Sequence, residues 1–263
     1  GAAQDNPERV FAVVGIFISV VTIFMVGSFP HVIELWGYRA GIGALVAVLL
    51  IVGLLTRGLP RQLKSQIPDA DGSTEAHFPF KVAGILILLA YSLVGMVDIG
   101  LWVFTERIGI NVGLSPERIG LLLAVTTAIG LLGPLMAAVL HVRFGRILPF
   151  TVGLLVLAAS CIGVGNAWNA TIYMIALLPL NWAVLFLAAY FLGALADLDP
   201  RGSWITLSGA VGSFSKALGP PIMGWLALLL GYATVSTILG LCVLLALALM
   251  LVVFRYQSRV HGS

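Results

Sequence analysis

Eight runs of predominantly apolar residues, each about 20 long, fill most of this chain, at roughly 10–29, 38–56, 82–104, 116–140, 148–165, 171–195, 203–229 and 233–254. A helix rising 1.5 Å per residue needs about 20 residues to cross a hydrocarbon core ~30 Å thick. Within that core every backbone N–H and C=O must be satisfied inside the segment, which leaves helices or a closed barrel. A barrel would show alternating segments of about ten residues, and none occurs. Of the 263 residues, 60% are hydrophobic and only 10% charged, whereas soluble domains carry about 25% charged residues. A water-soluble globule is excluded, and the predicted class is an all-α polytopic membrane protein.

The net charge is +3 and the pI about 9.1, but the basic residues sit in short loops and do not form a nucleic-acid-binding patch. On one side fall Arg9, Arg57, Arg61, Lys64, Lys81, Arg143, Arg146, Arg201, Arg255 and Arg259; the other side carries Arg39, Arg107 and Arg118. By the positive-inside rule, both termini are expected in the cytoplasm, in a bacterial inner membrane. The stretch after the second span, TRGLPRQLKSQIPDADGSTEAHFPF, is polar and contains three prolines. It is read as a linker over 57–80 between two helical groups, 1–56 and 81–263.

Cys161 and Cys242 both lie inside apolar runs and are read as small core residues. No H-E-x-x-H, G-x-S-x-G or G-x-x-x-x-G-K-[ST] pattern occurs, so neither enzyme chemistry nor a nucleotide site is expected. The serines within spans, such as Ser208 and Ser215, have no His at membrane depth to serve as base. No metal or organic cofactor is expected.

The fourth span ends in AVLHVRFGR, and Arg143, Gly145 and Arg146 supply an R-x-G-R core. This resembles the signature loop G-x-L-A-D-R-x-G-R-R/K of the major facilitator superfamily, with Ala138, Val142 and Ile147 standing for its first Gly, its Asp and its last basic residue. GSFSKALGPPIMGW resembles the family's Gly-Pro-containing eleventh helix, and LWGYRAGIGAL its turn between helices five and six. The resemblance implies a twelve-helix transporter in two halves, of which this chain would hold helices five to twelve. The missing N-terminal helices, or a partner chain, would then complete it, and the absent initiator Met is in keeping with that expectation. In the family the R-x-G-R loop latches neighbouring helices during alternating access. Arg143 and Arg146 suit that role, with Gly145 permitting the turn, but a plain positive-inside anchor needs only the two charges.

Ionisable side chains within spans are costly and usually face a cavity or a partner. Tyr91, Gly95, Asp98 and Trp102 recur at i, i+4, i+7 and i+11, which sets them on one helical face, with Glu106 extending it. Asp98 reads as a protonatable coupling site or a solute contact, or else as a hydrated residue near the outer interface. Lys216, near the centre of the seventh span, reads as a site for an anionic group or as a partner of Asp98. Asn181 reads as a solute ligand or as interhelical glue. Asp197 is assigned to the turn before the seventh span. The expected function is secondary transport of a small organic solute across the lipid bilayer, with proton coupling through Asp98. The alternative is a non-transporting scaffold, receptor or degenerate fragment.

Overall fold

A computed structural model of the chain describes residues 78–144, 146–198 and 203–261, together with positions 36, 37, 39, 41–43, 46, 47 and 50. The last group belongs to a separate unit and is helical. The first two predicted spans and the linker otherwise lie outside the described residues, as do Gly145, the Arg143 side chain, Asp199 and Arg201.

Residues 78–261 fold into α1 (Phe78–Trp102), α2 (Thr105–Asn111), α3 (Pro116–Gly130), α4 (Leu132–Phe144), α5 (Ile147–Gly165), α6 (Ala170–Leu198) and α7 (Ser203–His261), with no strand among the described residues. Five stretches are long and apolar enough to cross a membrane: Lys81–Trp102, Pro116–Leu140, Ile147–Gly165, Ala170–Leu198 and Ser203–Arg255. The last bends back at Gly231, whose φ of 78° and ψ of 161° are non-helical. Its limbs, 203–230 and 232–261, are each long enough to cross once. Only glycine enters that backbone region freely, so Gly231 makes the turn that the sequence places between its seventh and eighth spans. The described residues from 78 onward therefore supply six lengths of helix able to cross.

Local chemistry accounts for the ends. Ser115 caps α3 by accepting from the Arg118 backbone N–H, with Pro116 following it; proline suits the first helical turn because its missing N–H has no partner there anyway. Asn169 accepts from the Ile172 N–H at the start of α6. Pro134 removes a helical N–H one turn past Gly130, and the 116–140 span breaks there into α3 and α4 at Leu131.

Glycines bring the helices together. Along α1 and the first limb of α7, Gly84 meets Trp204, Tyr91 meets Gly212, Gly95 meets Ser215 and Lys216, and Gly100 meets Gly219. The pairs advance together, so the two helices run parallel in fixed register. Gly130 and Gly133 likewise meet Asn181, Trp182 and Phe186, aligning α3 and α4 with α6. Close backbone approach of this kind is how membrane helices gain packing where apolar burial offers no preference over lipid. Towards the end that carries Arg146, Phe150 packs edge-on against Phe191 (4.9 Å) and Phe254 (5.7 Å). That contact fastens α5 to α6 and to the second limb of α7.

Candidate functional site

The predicted face of α1 is real, and it meets the first limb of α7. Tyr91 is half-buried, with its ring edge on Phe191 at 5.6 Å. A Cβ on Gly95 would lie 3.1 Å from Ser215 Oγ and 3.5 and 3.7 Å from Cγ and Cε of Lys216. Asp98 is buried at 8% exposure. Trp102 is half-buried, and α1 ends there. Glu106 does not extend this face. The chain turns through Val103 and Phe104, and Glu106 begins a separate helix, α2, on which it is exposed.

Depth follows from the register. Between the Gly95–Ser215 and Gly100–Gly219 contacts, Asp98 falls level with Ala217 and Leu218. That is within about 3 Å of Lys216 along the helix axis. Lys216 is about 20 Å from either end of its limb. Asp98 is therefore level with the middle of the α7 limb, and on its own helix it lies four residues, about 6 Å, before the end of α1 at Trp102. Among the described residues no hydrogen bond or salt bridge reaches Asp98, and none joins it to Lys216. The ion pair held open by the sequence is thus not made in this state. Lys216 is exposed, with its stem lying along Gly95.

Asn181 is half-buried on α6, its amide against the Gly130 backbone where α3 gives way to α4. The amide has no hydrogen-bond partner among the described residues. It fills a gap between helices without bonding across it. A cavity of about 340 Å³ lies between α5 and α6, lined by Val156, Ala159, Ser160, Ile172, Ile175, Ala176 and Pro179. None of the predicted pathway residues lines it.

At the loop between α4 and α5, Arg146 binds Asp197 through a 2.6 Å contact from Nη1 to Oδ2. Asp197 is not in a turn, as the sequence suggested, but within the last turn of α6. An acidic group there opposes the helix dipole, and Arg146 offsets it. The sequence allows Arg146 an acidic or helix-terminal partner but does not say which. Asp197 is one of two acids in ALADLDP, and only the packing of α6 beside the loop selects it. Ser215, which meets Gly95 beside Lys216, was not singled out, for the same reason.

No family model matches the chain, and no curated protein sequence does. Among solved structures, a point variant of the E. coli fucose:proton symporter FucP is similar at 16% identity, over 84% of this chain, with a TM-score of 0.61. The chain spans 57% of that protein's length. The fold is a major-facilitator-type helical bundle, and the chain is an integral membrane protein.

Proposed function

We propose that the chain acts in secondary transport, moving a small organic solute across the membrane by alternating access, with the proton gradient as energy source. The observation that carries this reading is the pair of ionisable groups brought level within two apolar helices. Asp98 is buried without a polar partner among the described residues, and Lys216 stands open at the same level. A carboxylate within a span that alternates its environment can take up a proton on one side and release it on the other. Tyr91, Trp102 and Asn181 line the proposed pathway. The Arg146–Asp197 contact ties the α4–α5 loop to α6, as a latch would. Both termini are placed in the cytoplasm of a bacterial cell by the loop charges, and residues 1–56 and 57–80 are assigned to the end of a first half and to its linker. The fucose:proton symporter has a similar fold, which suits proton-driven movement of a small polar molecule.

The test is solute-driven proton movement by the gene product in proteoliposomes carrying a trapped pH dye. Addition of a transported solute acidifies the lumen, an uncoupler dissipates that change, and Asp98→Asn removes it. Proteoliposomes that never respond, across sugars, amino acids and organic acids, would sink the transport reading in favour of a scaffold or receptor.

A further inference from the structure

We propose that the solute taken by this site is a small organic anion, a monocarboxylate in charge class, seated on the Lys216 ammonium. This deepens the transport reading and rests on it. The arrangement is of three parts: a cation at mid-depth, a helical face stripped of bulk beside it, and a neighbouring acid to which no salt bridge joins it.

A fixed positive charge at the middle of a membrane needs water, a counter-charge or a route to the interface. Lys216 is midway along its limb, about 20 Å from each end. Its methylene stem is braced along Gly95, so the ammonium is held in place. Among the described residues Asp98 is the one acid at that level, and no salt bridge joins it to Lys216. Glu106 and Glu117 lie towards one end of the bundle, and Asp197 lies at the other, bound to Arg146.

The face around Lys216 is open. Gly209, Ser213 and Lys216 follow i, i+4 and i+7 and so line one stripe of the helix. A Cβ on Gly209 would meet nothing within 4 Å. Ser213 is exposed, its hydroxyl donating to the Gly209 carbonyl at 2.8 Å, which leaves the oxygen's lone pairs outward. Phe214 beside it is exposed as well. A small solute can therefore lie on Gly209 with its carbon frame against Phe214 and its carboxylate on the ammonium. One cation at this depth matches one negative charge. The residues favour an anion over a neutral sugar, because a carboxylate can make with the Lys216 ammonium the salt bridge that no described residue makes.

The experiment is binding of matched pairs to the purified full chain: acetate against acetamide, lactate against lactamide, benzoate against benzamide. Binding is read as the shift in melting temperature and as quenching of tryptophan fluorescence. At least one carboxylate is expected to stabilise the protein while its amide does not. Lys216→Gln is expected to weaken that carboxylate at least about tenfold, as loss of a charge-assisted contact does. Lys216→Arg should stay within about threefold, since the charge remains. Gly209→Leu, which fills open space, should remove the response while leaving the melting temperature without solute unchanged; it keeps the test decisive if Lys216→Gln folds poorly. Equal binding of an amide and its carboxylate, full affinity in Lys216→Gln, or silence from every carboxylate overturns the proposal. The two readings fail separately. Carboxylate binding without proton movement sinks transport and leaves the anion site. Proton-driven entry of a neutral solute, indifferent to Lys216→Gln, sinks the anion site and leaves transport.

Discussion

Gly219 of α7 lies directly on Gly100 of α1. A Cβ placed on Gly219 would be 2.9 Å from the Gly100 nitrogen and closer still to the Met96 carbonyl oxygen. Two backbones touch there with no side chain between them, and the contact holds the helices in register. That register sets Asp98 and Lys216 at one depth. A slip of one turn, about 5.4 Å, would separate them.

Gly219→Val should therefore damage the protein more than its small added volume suggests. The branched side chain would strike backbone, which cannot rotate away, and overpacking of this kind costs about 1–3 kcal/mol or more. A lowered melting temperature in detergent checks this. Gly209→Ala is the control, because its added methyl meets open space; its melting temperature should match the parent or rise slightly, as alanine is the better helix former. If both variants melt alike, the close approach of α1 and α7 is not what the contacts indicate.

The Arg146–Asp197 bridge is half-open to solvent, with Asp197 at 48% exposure. Arg146→Gln and Asp197→Asn should each cost no more than about 1 kcal/mol in stability. If the bridge latches the α4–α5 loop to α6, transport should fall in both single variants and recover in the charge-swapped Arg146→Asp/Asp197→Arg double. Recovery without a matching change in melting temperature marks a latch. A double variant as impaired as either single marks an anchor that needs only positive charge.

Asn166 is the tie at the opposite end of the bundle. Its amide donates to the Ile162 carbonyl (2.8 Å), the Thr237 hydroxyl (3.0 Å) and the Ala233 carbonyl (3.4 Å), joining the end of α5 to the second limb of α7. Asn166→Ala should destabilise by about 1–2 kcal/mol. Hydrogen exchange should quicken at residues 232–240 before it does in α1. Uniform loosening of the whole bundle would contradict a local tie.

Asp98→Asn keeps the shape and removes the titrating group. Solute exchange down its own gradient should persist in proteoliposomes while uphill accumulation driven by protons is lost, a change read from paired exchange and uptake rates. Asp98→Glu should retain coupling at reduced rate, because the acid remains in a site packed for a shorter side chain. Coupling that survives Asp98→Asn would remove this residue from the proton path.

Much of the fold was legible because membrane-spanning segments are set by length and hydropathy alone. A run of about 20 apolar residues has few options in lipid, so the six lengths of helix able to cross from 78 onward follow from the residues themselves. So did the class, and so did the R-x-G-R loop at the end of α4. The turn at Gly231 falls between the seventh and eighth predicted spans, whereas the break at Leu131 interrupts the span predicted as continuous over 116–140. The face carrying Tyr91, Gly95 and Asp98 was also legible, since it needs only helical periodicity. Its end was not, because Trp102 stops α1 through a turn that hydropathy does not register.

What lies across from each face was decided by tertiary packing. Sequence spacing speaks of neighbours within a turn or two, whereas Asp98 and Lys216 are brought level by contacts between glycines more than a hundred residues apart. Whether the two charges form a pair depends on side-chain reach across that seam, a distance no periodicity encodes. The same holds for Arg146, whose partner is fixed by where α6 ends in space. The sequence by itself determined that this chain crosses a membrane as a bundle of helices and which residues could carry charge within it. Only the tertiary structure decided that Asp98 is buried with no hydrogen bond or salt bridge among the described residues while Lys216 stands open beside it, because partnership arises from helix register and close backbone contact.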